Sequence, residues 1–118
     1  MMTQTTQLTL NLLQGSVRFN FSPADAEKLK SALGDLITLL KSVATAKAEG
    51  GKPTPVQSME YQYTGDVFLE IFCNPNIWPS PFAAKLLITL RDDKIRLTTE
   101  AELTRILEDV NLYLEAAA

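Results

Sequence analysis

Gln7-Leu8-Thr9-Leu10-Asn11-Leu12-Leu13-Gln14-Gly15-Ser16-Val17-Arg18-Phe19-Asn20-Phe21-Ser22 alternates apolar and polar residues on both sides of Gln14-Gly15, as two half-buried strands joined by a tight turn do. Counting outward from a two-residue turn at Gln14-Gly15 pairs Leu12 with Val17, Leu10 with Phe19 and Leu8 with Phe21. Asn11 then meets Arg18, and Thr9 meets Asn20. Every apolar residue falls on one face, and turn chemistry and pattern together predict the register.

Ser22-Pro23-Ala24-Asp25 follows at once and supplies an N-cap, a proline at the first helical position and an acid in the first turn. The helix it starts carries Leu29, Leu33, Leu36, Leu40 and Val43 at spacings of three and four, widened by Ile37 and Ala44. Gly34 lies inside that helix and reads as a point of close packing. The helix is expected to stop near Ala48, before the breaker-rich connection Glu49-Gly50-Gly51-Lys52-Pro53-Thr54-Pro55, which reads as a surface loop.

Four more strands are expected. Met59, Tyr61 and Tyr63 alternate with Glu60 and Gln62, a turn falls at Thr64-Gly65-Asp66, and Val67, Leu69, Ile71 and Cys73 continue the inward face. Leu86, Ile88 and Leu90 form the next inward face, and a turn at Asp92-Asp93 would pair Leu90 with Ile95 and Ile88 with Leu97. Thr99 and Glu102 fit a capping box for a last helix with the stripe Leu103, Ile106, Leu107, Val110 and Leu114. The expected fold is α+β: one domain over residues 1–118, an antiparallel sheet of about six strands in the order ββαββββα, and both helices packed on one face.

Composition narrows the function classes. The 118 residues are 46% apolar and 21% charged, within ordinary globular usage, so neither a disordered chain nor a disulfide scaffold is expected. A net charge of −3 disfavours duplex nucleic acid and anionic membrane as partners. The N-terminal residues have no basic start, and the leucines from 8 to 13 are interrupted by Thr9 and Asn11. Neither a signal peptide nor a spanning helix is expected, and with a single cysteine the setting reads as cytoplasmic. Locally, Lys85, Arg91, Lys94 and Arg96 outweigh Asp92 and Asp93, whereas residues 99–118 carry five acids against Arg105. A basic hairpin and an acidic helix, each solvated, account for this simply.

The chain has no histidine, which removes triads, imidazole acid–base catalysis and His-containing metal sites together. Cys73, at the inward end of a strand, reads as a buried small hydrophobe. The glycines form neither a phosphate loop nor a dinucleotide fingerprint. No catalytic residue, cofactor or metal is therefore assigned, and an enzyme is not the favoured reading.

Two features remain as candidate binding surfaces. The first is Cys73-Asn74-Pro75-Asn76-Ile77-Trp78-Pro79-Ser80-Pro81-Phe82, which holds the only tryptophan, the only cysteine and three of the six prolines. Its prolines prevent strand pairing and hold Ile77 and Trp78 on a stiff backbone. Trp78 either folds back to plug the core or stands out as a binding anchor. The second is the outer sheet face, polar on most strands but bearing Phe68, Phe72 and Leu87 on the fourth and fifth. Those groups need cover, from a loop of this chain or from a partner or second copy. Aromatics near Lys85, Arg91 and Arg96 suggest stacking on single-stranded RNA, but no RNP-like motif is present and the strand order is wrong, so RNA is not expected. A three-residue turn at 64–66 would also set Glu60 opposite Glu70, where mutual repulsion could mark a general acid or cation site.

The run Asn74-Pro75-Asn76-Ile77-Trp78-Pro79-Ser80-Pro81-Phe82-Ala83-Ala84-Lys85, continuing to Leu97-Thr98-Thr99-Glu100-Ala101-Glu102-Leu103, resembles small soluble cyanobacterial proteins of unassigned function. The resemblance covers about the C-terminal third and implies a cyanobacterial cytosolic setting. The residues point to a non-enzymatic interaction or assembly module, binding through Ile77, Trp78, Phe68, Phe72 and Leu87. The alternative is a small-molecule binding protein or enzyme using Glu60 and Glu70.

Overall fold

The computed structural model describes residues 7–51 and 54–117. The expectations for residues 1–6, for Lys52 and Pro53 of the breaker-rich connection and for Ala118 lie outside them. The elements are β1 (Gln7–Asn11), β2 (Ser16–Asn20), α1 (Pro23–Ala48), β3 (Met59–Thr64), β4 (Phe68–Cys73), β5 (Lys85–Arg91), β6 (Arg96–Glu102) and α2 (Leu103–Ala117), in the expected order ββαββββα. All strand pairs are antiparallel.

The strands form two sheets, β1-β2 and β3-β4-β5-β6, where one of about six strands was expected. The reason lies at the outward edge of β1. Leu13 N–H reaches the carbonyl of Glu100 on β6 at 3.2 Å, as a neighbouring strand would. But β6 ends at Glu102 and the chain turns into α2, so Asn11 N–H meets a helix side chain instead and donates to Asp109 Oδ2 at 2.7 Å. A ladder between the sheets stops there, and the hairpin joins the fold by packing and by these isolated hydrogen bonds.

Each hairpin register is displaced by two residues from expectation. In the first, Leu8 pairs with Phe19 and Leu10 with Val17 around the loop 12–15, closed by Leu12 N–H to Gly15 C=O at 3.0 Å with Gly15 at φ +82°. In the second, Thr64 pairs with Phe68, and the turn is 65–67. In the third, Leu90 pairs with Leu97 and Ile88 with Thr99, leaving Ile95 in the turn and 65% exposed. Asp92 closes that turn by accepting from Lys94 N–H and Ile95 N–H at 2.8 and 2.9 Å, which holds its carboxyl below the usual range. Because strand side chains alternate with period two, a two-residue slip keeps every side chain on its face. Most of the expected inward set is therefore buried: Leu8, Leu10, Phe19, Phe21, Leu69, Ile71, Cys73, Leu86, Ile88 and Leu90 join one core with the stripes of both helices, while Leu12, Val17, Met59, Tyr61, Tyr63 and Val67 pack against it partly buried.

Ser22 caps α1, its Oγ accepting from Asp25 N–H at 3.1 Å, and the helix ends at Ala48 with Gly50 at φ +79° just beyond. α1 lies against α2 and β3, and α2 lies against β1 and β6. No capping box forms on α2: β6 continues through Thr99 and Glu102, whose backbones pair with Ile88 and Lys85, and Leu103 N–H donates to Ala84 C=O at 3.1 Å. Glu100 and Glu102 thus belong to a strand, not to an acidic helix.

Gly34 is exposed and is not a packing point: a Cβ built there meets nothing within 4 Å. Glycine costs about 1 kcal/mol relative to alanine in a helix interior, so Gly34→Ala should stabilise the fold by about that amount. The expected readout is a melting temperature higher by about 4 °C in calorimetry. An unchanged or lower value would mean that the backbone at 34 is not ordinary helix.

Candidate functional site

The antiparallel registers arrange the outer face of the four-stranded sheet in rows across the strands. One row reads Glu60, Phe72, Leu87, Glu100; the next reads Gln62, Glu70, Thr89, Thr98; the third reads Thr64, Phe68, Arg91, Arg96. Both helices are on the other side, so no helix covers this face, although Phe68, Glu70 and Phe72 are partly buried and Thr89 is 7% exposed. Phe72 and Leu87 are direct cross-strand neighbours, and Leu87 is 43% exposed. Phe68 lies two rows away, its ring under the Arg91 guanidinium at 4.3 Å, a cation–π contact that shields part of it.

Glu60 and Glu70 are not opposite one another. The shifted turn sets Glu60 beside Phe72, and Glu70 beside Gln62, whose Nε2 donates to its carboxylate at 2.7 Å. The carboxylate pair expected from a turn at 64–66 is not formed, because the ladder includes Thr64 and moves each partner by two.

The proline loop is pinned by asparagines. Asn74 Oδ1 accepts from the backbone N–H and the Nδ2 of Asn76 at 3.0 and 2.8 Å. Asn76 in turn holds Val56 like a strand partner, accepting from its N–H at 2.9 Å and donating to its C=O at 2.8 Å. Lys47 Nζ donates to the Asn76 carbonyl at 3.2 Å. These bonds fasten the loop to the segment after α1 as well as to the end of β4. Nothing in sequence pattern marks Asn76, since its partner is a backbone twenty residues away.

On this fixed loop Trp78 is half-buried and packs against the core, whereas Ile77 is 63% exposed. Trp78 therefore plugs the end of the core and shows one side to the surface. Phe82, 81% exposed, is a further apolar side chain of this loop that was not assigned a binding role. Ile77 and Trp78 line a cleft of about 150 Å³ together with Phe72, Leu87, Lys85 and Glu100. The structure thus brings four of the five proposed contact residues together and leaves Phe68 outside the cleft.

Cys73 ends β4 facing the core and is 1% exposed. Burial pushes its thiol up to about 11, and a hydrogen bond from Trp78 acts in the opposite sense. It is protonated and enclosed at neutral pH, in keeping with a buried hydrophobe. Among the described residues no cluster of three or more metal-ligating side chains occurs. No described helix is long and apolar enough to cross a membrane.

Two polar groups in the core escaped the sequence reading. Tyr113 donates its hydroxyl to the carbonyl of Phe21, and Asp109, 4% exposed, accepts from both the N–H and the Nδ2 of Asn11. Both sit within the apolar stripe of α2; an acid between Ile106 and Val110 was the available signal. Comparison of the chain with protein-family models, with curated proteins and with solved structures gives no match.

Proposed function

We propose that this chain is a non-enzymatic interaction or assembly module of the cytosol, docking a protein through the outer face of its four-stranded sheet and the adjoining Pro/Trp loop. The observation that supports this reading is the continuity of apolar surface from Phe72 and Leu87 into the cleft under Ile77 and Trp78. A stiff loop with a half-exposed tryptophan loses little entropy on docking. A chain with no histidine and with its one thiol protonated and enclosed offers little nucleophilic or acid–base chemistry. Use of Glu60 and Glu70 as a catalytic pair is not favoured, since the register sets them against Phe72 and Gln62.

A photo-crosslinking amino acid placed at Leu87 tests the reading in native cells. A discrete adduct, to a copy of the chain or to another protein, is expected from position 87 and not from exposed Lys41 on α1. Phe72→Glu should abolish it. A smear of equal intensity from both positions would refute a docking role for this face.

A further inference from the structure

The charges of the outer face are arranged so that one partner fits it closely: a second copy of the face itself. Glu60 and Glu100 flank the row that holds Phe72 and Leu87, and Arg91, stacked on Phe68, shares the third row with Arg96; Glu70 lies in the row between, and Lys85 pairs with Glu102 beyond the first row, balancing one another. The middle row, Gln62, Glu70, Thr89 and Thr98, is equidistant from the first and the third. Arg91 and Arg96 are direct cross-strand neighbours, a like-charge contact that weakens the isolated sheet. Both are exposed, and Arg96 makes no ion pair among the described residues.

Sheets that pack face to face with strands aligned, and that are related by a two-fold axis, leave two directions for that axis. An axis along the strands exchanges β3 with β6 and sets Glu60 of one copy on Glu100 of the other, acid on acid. An axis across the strands, over the middle row, keeps each strand position and exchanges the outer rows. Glu100 then faces Arg96, Leu87 faces the aliphatic stem of Arg91, and Phe72 faces Phe68 with the Arg91 guanidinium stacked on its ring. Charge selects the second arrangement.

We infer that this chain forms a two-fold dimer through the outer sheet face, with the axis over the Gln62, Glu70, Thr89 and Thr98 row and Glu100 of each copy paired with Arg96 of the other. The inference rests on the docking role proposed above and specifies its partner. Four strands about 4.8 Å apart and six residues of about 3.3 Å rise give a face of roughly 19 by 20 Å. That is small against the roughly 800 Å² per partner of a stable complex, so the dimer is a reversible one of micromolar affinity. Glu70 opposes itself across the axis, but its carboxylate is drawn sideways to Gln62, and this contact limits the affinity.

Sedimentation velocity of the full chain from 1 to 200 μM tests the inference. Wild type should pass from monomer to dimer in this range. Arg96→Glu should weaken dimerisation at least tenfold, because the symmetry places two acid–acid contacts in the interface. The same change should raise the thermal stability of the monomer, since it turns the Arg91–Arg96 contact into an opposite-charge pair. Glu100→Arg should weaken dimerisation similarly. Combining both should restore it to within about threefold of wild type, and Glu70→Gln should tighten it. Should wild type stay monomeric at 200 μM, or should the combined variant fail to recover, the symmetric dimer is overturned. A monomer that still yields a discrete Leu87 adduct with another protein overturns the dimer alone; a monomer with no adduct overturns the docking role as well.

Discussion

Asp109→Ala should be among the most destabilising single changes outside the apolar core, lowering unfolding free energy by about 3 kcal/mol, because it strips a carboxylate acceptor from two part-buried donors at once. Asp109 is 4% exposed, and its two oxygens accept from Asn11 N–H at 2.7 Å and from Asn11 Nδ2 at 2.8 Å. The backbone donor has no strand partner: it points out of β1, where β6 has given way to α2, beside a cleft of about 250 Å³ that Asn11 and Asp109 both line. Arg105, 3.5 Å from the same carboxylate but half-exposed, contributes little through solvent screening. Asp109→Asn keeps one acceptor and should cost less than the alanine change. Urea unfolding checks both, and a double-mutant cycle with Asn11→Ala isolates the side-chain bond. An alanine variant within about 0.5 kcal/mol of wild type would mean that water replaces the carboxylate and that β1 is held by packing alone.

What the sequence made legible, and what it did not, follows from which interactions are periodic. The faces of all six strands and the stripe of α1 were readable because burial imposes period two on a strand and 3.6 on a helix. Registers were not, since a slip of two residues leaves that signal unchanged; Leu10 is buried whether it pairs with Phe19 or with Val17. Only loop closure decides between them, and Leu12 N–H to Gly15 C=O, like the Asp92 side chain in the third turn, closes a loop longer than the shortest compatible one. That slip matters for the candidate site: it separates Glu60 from Glu70 and sets Phe72 beside Glu60. The break between the two sheets was hidden for a similar reason, because it depends on where α2 begins relative to Asn11. The capping pattern at Thr99 and Glu102 gave the right helix with its start inside a strand, since the β5-β6 ladder claims those backbones first.

Trp78→Ala should cost about 3 kcal/mol, the usual scale for a large aromatic packed on a core, even though the ring is only half-buried. Its packing partners are fixed. Cys73 ends β4 beneath it, and the loop that carries it is fastened through Asn74, Asn76 and Val56, so the vacated space cannot easily collapse. Cys73 supplies a local readout that global unfolding does not. Burial, the larger influence, pushes its thiol up to about 11, while the Trp78 hydrogen bond lowers it. Removing the indole abolishes the lowering contact but also opens the thiol to water, and relief of the larger influence sets the sign: the thiol pKa falls and access rises. Labelling by a thiol reagent at pH 8 in native buffer should therefore be faster in Trp78→Ala than in wild type, while Trp78→Phe, which keeps the plug and loses only the N–H, should label no faster. In wild type the tryptophan emission should be blue-shifted yet partly quenched by acrylamide, as suits a ring with one side on the core and the other on the cleft shared with Phe72 and Leu87. If Trp78→Ala leaves both unfolding free energy and labelling rate as in wild type, the ring does not close the core, and its position in the cleft alone would account for a tryptophan at this point of the loop.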